Sequence, residues 1–296
     1  MIYESLEAAA AGCFGGDVVI EASSPVGGGD INDAACLRLS NGAGVFVKSN
    51  TLANEAFFEA EEAGLRAIAA TDTIRTPALL CRGRDRRKGI SFLMMEMVRG
   101  GPRAPDFWET FGRNLARMHG AETGAFVRRG RFGFLRDNFI GACAQSNGEA
   151  DSWIAFFRDR RLRPQLERAA GYFDAAVRRR AGRLLDRLDA LLAEPVRPSL
   201  LHGDLWSGNF ITGTDGQAWL IDPAAYVGHA EADLAMTELF GGFSERFYRG
   251  YQELAPLDRG YRERRDLYNL YHLLNHLNLF GAGYLSAAVG VILRYS

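Results

Sequence analysis

The chain has 296 residues, 47% of them hydrophobic, enough for one large core or for two lobes. Its formal net charge of -1 gives no overall basic field to hold nucleic acid or an anionic membrane. Cys13, Cys36, Cys81 and Cys143 form no CxxC pair and read as reduced thiols, not as a disulfide frame or a zinc site.

In chain order, MIYESLEAAAAG carries acids where a secretory signal carries basic residues, and its alanines read as a short helix. No apolar run reaches the ~18 residues that span a bilayer, so a soluble cytoplasmic protein is expected. Strand-like segments follow: VVIEASSP, AACLRLS and VFVKSN, with Asn41-Gly42 as a hairpin signal. Residues 54–70 have helical spacing, with Phe57, Leu65 and Ile68 on one side, Phe58 nearby and acids opposite. ALLCRG and SFLMMEMV read as two more strands around a charged hairpin loop. Arg99-Gly100-Gly101-Pro102 breaks both element types and marks a boundary. The expectation is an α+β chain: an N-terminal antiparallel sheet of five strands with one helix (1–98), then a mainly helical part (99–296). Helices are predicted over 107–119, 151–168, 174–193 and 266–281, and a strand over AWLID at 218–222.

Four features line up in order. Gly27, Gly28 and Gly29 lie between two strands, where a glycine hairpin tip can aim backbone N–H groups at phosphate oxygens. Lys48 ends VFVK on the third strand. Of 35 lysines and arginines only Lys48 and Lys88 are lysine, so a compact ammonium at 48 stands out. A lysine there can reach the α- and β-phosphates of a nucleotide, and Glu61 is its expected partner, with Glu59 and Glu62 as competitors. His202-Gly203-Asp204 with Asn209 has the HxDxxxxN spacing of a kinase catalytic loop: the acid takes a hydroxyl proton and the amide oxygen binds Mg²⁺. Asp222, 13 residues after Asn209, ends a short apolar strand and stands where a second Mg²⁺ ligand is needed. Ordinary turns and a surface lysine account for each feature singly; a Mg-ATP site requires all of them together.

HGDLWSGN, the IDPA after it and EADLAM at 231–236 closely resemble the fructosamine/ketosamine-3-kinase family, of the aminoglycoside-phosphotransferase-like branch of the protein-kinase-like fold. PVGGGDIND, VFVKSN, FEAEEAGL, LMMEMV, LARMHG and NLYHLLNHLNLFGAGYL resemble that family's segments in the same order. The tryptophan after Asp-Leu is the more specific mark. The resemblance implies a two-lobe kinase fold and Mg-ATP-dependent phosphorylation of the C3 hydroxyl of a ketosamine, free or on a glycated lysine of a protein. That phosphate is unstable and eliminates, which makes the activity a deglycation repair. It also implies Lys48 and Glu61 as the phosphate-binding pair, Asp204 as base, Asn209 and Asp222 as metal ligands, and Glu96 to Val98 as the segment whose backbone meets adenine. Asp30 stands where some relatives have cysteine. His202 either orients the loop or touches substrate; Trp206 either faces the sugar or packs beneath the loop. Glu231 and Asp233 either hold the loop or bind the substrate ammonium. His272 and His276, one turn apart, read as core or supporting residues, since no third ligand accompanies them. An aminoglycoside- or choline-type acceptor, or a catalytically dead nucleotide-binding protein, are the competing readings.

Overall fold

Strand alternation decides which side chains can meet. In the computed structural model, which describes residues 2–27 and 31–296, β1 (Ile2–Tyr3) and α1 (Leu6–Phe14) precede a meander of β2 (Ile20–Val26), β3 (Asp33–Leu39) and β4 (Gly44–Thr51). Helix α2 (Glu55–Ala70) follows, then β5 (Leu79–Asp85) and β6 (Ile90–Glu96). The strands form one six-stranded sheet in the order β1-β5-β6-β4-β3-β2. All neighbours are antiparallel except β1 and β5. The sixth strand, absent from the sequence reading, is two residues long and too short to show alternation.

Val45 and Val47 point to one face, with Leu37, Leu39, Phe92 and Met94, and α1 packs Ala9 and Ala10 there. The intervening Phe46 joins Leu93 and Met95 on the other face, under Phe58 and Leu65 of α2. Lys48 is two residues beyond Phe46, so the period of two sends it to the α2 side. On α2 the inward stripe is Phe58, Leu65 and Ile68, with Phe57 turned outward to Phe139. Glu61 lies on that stripe, three residues from Phe58 and four from Leu65.

After β6 the chain runs extended. Gly101 N donates to Thr212 O at 3.0 Å, and a Cβ at Gly101 would lie 2.7 Å from Gly213 O, so this crossing requires glycine. The rest is mainly helical: α3 (Phe107–His119), the hairpin β7 (Asn138–Ile140) and β8 (Cys143–Gln145), then α4 (Trp153–Phe156) and α5 (Arg163–Arg168). Next come α6 (Ala175–Asp186), α7 (Leu188–Leu191), β9 (Ser199–Leu201), β10 (Phe210–Thr212), β11 (Ala218–Leu220) and β12 (Tyr226–Gly228). The chain ends with α8 (Glu231–Leu239), α9 (Glu245–Gln252), α10 (Tyr261–Phe280) and α11 (Leu285–Tyr295). One large apolar core unites these helices and reaches Ala67 and Ile68 of α2.

Two predicted helices are interrupted. Between α4 and α5, residues Phe157–Leu162 form a π-helical stretch. Pro164 lacks an N–H and its ring displaces the carbonyl of Arg160, so the turn widens. The Arg161 guanidinium donates to that carbonyl at 3.0 Å. The predicted 174–193 helix is split between α6 and α7 at Arg187. Conversely, α10 begins five residues before the predicted start, through the charged stretch YRERR.

Candidate active site

Two short ladders build the site. β9 pairs with β12, and β10 pairs with β11, both antiparallel. The loops between them, 202–209 and 221–225, therefore lie side by side. Asn209 O accepts from Ile221 N at 3.1 Å, and His202 Nε2 donates to Ile221 O at 2.9 Å. Gly203 has φ +81, and a Cβ there would sit 2.2 Å from Ala224 O. Only glycine gives both the left-handed backbone and that close approach. Asp222 also has a left-handed backbone, φ 55, which turns its side chain out of β11 toward the sheet.

Lys48 Nζ donates to Glu61 Oε1 at 2.7 Å and also to Asp222 Oδ1. Of the three acids weighed as partners for Lys48, Glu61 alone reaches it. Glu59 pairs with Arg82 and Arg136, and Glu62 with Arg66 and Arg82. Desolvation opposes the charge on Lys48, but the two carboxylates outweigh it and raise its pKa. Burial pushes Glu61 up against the pull of Lys48. Burial would also raise Asp222, but the Lys48 ammonium holds it below the ordinary carboxylate range. Two acids share one lysine, so the cluster carries excess negative charge that an added cation would relieve.

Asp204 is pushed up to about 7, first by burial and then by the charges of Asp222 and Asp233, against the hydrogen bond from Asn209. Asn209 Nδ2 donates to Asp204 O at 2.8 Å and to Asp204 Oδ2 at 3.1 Å. Among the described residues no group donates to Asn209 Oδ1, which leaves its lone pairs for a cation.

The loop is held from below. Asp233, on α8, accepts from His202 N at 2.7 Å and Gly203 N at 2.8 Å. Burial alone would raise Asp233, but His119 and the Gly203 N–H outweigh it and lower it. His119 Nε2 lies 3.2 Å from Asp233 Oδ2, and its Nδ1 lies 2.9 Å from Tyr251 Oη. His202 is fully buried. Its Nε2 is bonded to Ile221 and its Nδ1 accepts from Asp204 N at 3.3 Å. Desolvation lowers its pKa, which keeps the ring neutral. Glu231 forms a buried two-pronged pair with Arg264 at 2.6 and 2.8 Å, so both of its oxygens are engaged.

Trp206 is 39% exposed and lies over Gly208, where a Cβ would meet its ring at 2.4 Å. Glu96 ends β6 opposite Val45, and its carboxylate accepts from Ala78 N at 3.0 Å. Val98 follows in the extended connection. Gly27 follows β2, and a Cβ there would meet nothing within 4 Å among the described residues, while Gly28, Gly29 and Asp30 lie outside them. No group of three or more His, Cys, Asp or Glu side chains forms a metal cluster among the described residues.

His272, read from sequence as a core or supporting residue, comes beside this site: its Nδ1 is 4.0 Å from Asp204 Oδ1. His119 and Tyr251 were missed as supports. The only signal is for His119, the histidine of LARMHG, which ends α3 on its buried face. No helix is long and apolar enough to cross a membrane among the described residues.

Residues 3–295 match the fructosamine kinase family. The chain belongs to that family. It is 44% identical over 272 residues to a Synechocystis protein assigned as a ketoamine kinase, covering 90% of this chain and 87% of that one. It is 42% identical to the chloroplastic protein-ribulosamine 3-kinase of rice (Oryza sativa subsp. indica), over 92% of this chain and 78% of the relative. The crystal structure of a Thermobifida fusca protein assigned as a fructosamine-3-kinase superposes with TM-score 0.84 at 33% identity, covering 99% of each chain. At the level of fold alone, a macrolide 2'-phosphotransferase shares the architecture, with TM-score 0.60 and 17% identity over 97% of this chain and 95% of that one. This member of the family is thus built on the protein-kinase-like phosphotransferase fold, with an N-terminal antiparallel sheet and a helical C-terminal part.

Proposed function

We propose that this fructosamine kinase transfers the γ-phosphoryl group of ATP to the C3 hydroxyl of a ketosamine, either a free glycated amine or a glycated lysine on a protein. The observation that carries this reading is the meeting of Lys48, Glu61 and Asp222 with Asp204 and Asn209 across two separately built elements. The relatives described as ketoamine and ribulosamine kinases supply the acceptor class.

Each residue then has a task. Lys48, held by Glu61, neutralises the α- and β-phosphates. Gly27 to Gly29 are assigned to the phosphates from their place in the sequence, and the backbone of Glu96 to Val98 meets adenine; the Glu96 side chain is engaged with Ala78. Asp204 accepts the proton of the acceptor hydroxyl as that oxygen bonds to the γ-phosphorus and ADP leaves with the cleaved bond's electron pair. The ordinary carboxylate would be a weak base; burial strengthens it. Asn209 through Oδ1 and Asp222 through its carboxylate would hold Mg²⁺. Two protein oxygens suit that ion, which keeps waters and substrate phosphates as its other ligands. When bound, Mg²⁺ withdraws charge from the phosphate oxygens.

Asp233 and His202 position the loop, and the bidentate Arg264 contact leaves Glu231 in a structural role. Trp206, exposed on the loop, presents its face to the sugar. In this reading residues 1–98 hold the nucleotide and 99–296 the acceptor. The 3-phosphate product eliminates and releases the amine, which makes the reaction a repair of glycation.

The test is Mg-ATP turnover with ribuloselysine and fructoselysine beside an aminoglycoside and choline, with Asp204→Asn as the blank. Turnover confined to the ketosamines, and lost by ~10²–10⁴-fold in the variant with ATP affinity retained, is expected. Turnover on an aminoglycoside or choline alone would remove the acceptor assignment. Collapse of ATP affinity in the variant would remove Asp204 as base.

A further inference from the structure

Histidines in this protein are paired. His202 uses both ring nitrogens, and so does His119. His276 Nδ1 bonds to His272 O at 2.8 Å. His272 is the exception: its Nδ1 is buried and has no hydrogen-bond partner among the described residues. The nearest carboxylate oxygen is Asp204 Oδ1, at 4.0 Å. That is about 1 Å longer than an N–H···O hydrogen bond. The other oxygen of Asp204, Oδ2, already takes the Asn209 amide at 3.1 Å. Burial pulls the His272 ring down to about 3, so it is neutral and carries one N–H to place.

A packing residue accounts poorly for this arrangement. An apolar side chain would fill the same space on α10 without leaving a polar nitrogen unpaired beside the acid. We propose that His272 is a positioning residue for the base: on loading of the site its Nδ1–H closes onto Asp204 Oδ1. The carboxylate is then held at both oxygens, by His272 on one side and Asn209 on the other. Its remaining lone pairs face the acceptor hydroxyl, and its ionised form is favoured against burial. His272 exchanges no proton and touches no substrate in this role. The inference rests on the reading of Asp204 as base.

Two variants of similar polarity separate this role from packing. His272→Asn places an amide N–H close to the position of Nδ1, whereas His272→Gln places its amide nearer the position of Nε2. Steady-state kinetics with Mg-ATP and ribuloselysine, with a thermal melt of each variant, give the answer. His272→Asn is expected to retain most of kcat. His272→Gln should lose about 10- to 100-fold in kcat, the range of one hydrogen bond to a charged group, with KM for ATP unchanged. His272→Gln combined with Asp204→Asn should be no slower than Asp204→Asn alone, because the base that His272 orients is already gone. Equal kcat for His272→Asn and His272→Gln, whether high or low, overturns the inference while leaving Asp204 as base. Full activity of Asp204→Asn itself overturns the base assignment, and the positioning role falls with it.

Discussion

Removing Asp233 tests how the catalytic loop is built. The residue is 1% exposed, and its carboxylate accepts the backbone N–H groups of His202 and Gly203 at 2.7 and 2.8 Å. Asp233→Ala leaves both donors buried with no partner. A buried unsatisfied donor costs about 1–3 kcal/mol, so two cost about 2–6 kcal/mol. The variant also strips His119 Nε2 of its 3.2 Å contact. At roughly 2–4 °C per kcal/mol for a chain of this size class, the melting temperature should fall by about 4–24 °C. Asp233→Asn should lie between, since its single amide oxygen can accept from one of the two donors and its NH₂ group opposes the other. The assay is thermal and urea unfolding of wild type and both variants, with kcat at a temperature where all three are folded. Activity should fall with stability, because Gly203 precedes Asp204 directly. A melting temperature for Asp233→Ala within 1 °C of wild type would refute the argument, since water would then be satisfying both donors and the loop would not depend on α8.

Three further outcomes follow from the geometry. Lys48→Met removes the ammonium between Glu61 and Asp222 and leaves two acids facing the phosphates; KM for ATP should rise and kcat fall by at least ~10-fold, and unchanged kinetics would exclude Lys48 from the nucleotide site. Gly203→Ala combines a left-handed backbone costing about 1–2 kcal/mol with a Cβ 2.2 Å from Ala224 O; the variant should melt lower and lose most activity, and a wild-type melting curve would contradict the strain. His229, drawn down to about 4 by burial and then by Arg264, is neutral when folded and charges first in the unfolded chain, so its contribution is fully present above pH ~6.5 and is lost as pH falls toward 4, by up to about 1.4 kcal/mol per pH unit. Unfolding free energies between pH 7 and 5 should therefore fall less steeply in His229→Asn than in wild type; equal slopes would sink that account.

Much of the site was legible because its residues sit on regular spacings. Alternation in VFVK puts Lys48 on the face of Phe46, and HGDLWSGN places an acid and an amide on one loop whatever the surrounding fold. The choice among Glu59, Glu61 and Glu62 was not decidable locally. All three lie within four residues on one helix, and only the positions of Arg66, Arg82 and Arg136 show where the other two turn. The π-helical stretch has its cause in Pro164, but whether a proline ends a helix or widens it depends on a partner for the freed carbonyl, here the Arg161 side chain.

The sequence by itself determined the order of the main elements, the inward face of β4, and the chemical types gathered on the 202–209 loop, while on α2 the inward phenylalanine is Phe58 and not Phe57. These depend on periods of 2 and 3.6 residues and on glycine where the backbone turns left-handed. The tertiary structure alone decided which distant groups share a charge or a proton. Lys48 meets Asp222 across 174 residues of chain, and His272 comes within 4.0 Å of Asp204. Such contacts leave no local period, because they arise where β4 and α10 meet the two loops, and Coulomb and hydrogen-bond energies depend on distance in space, not on separation along the chain.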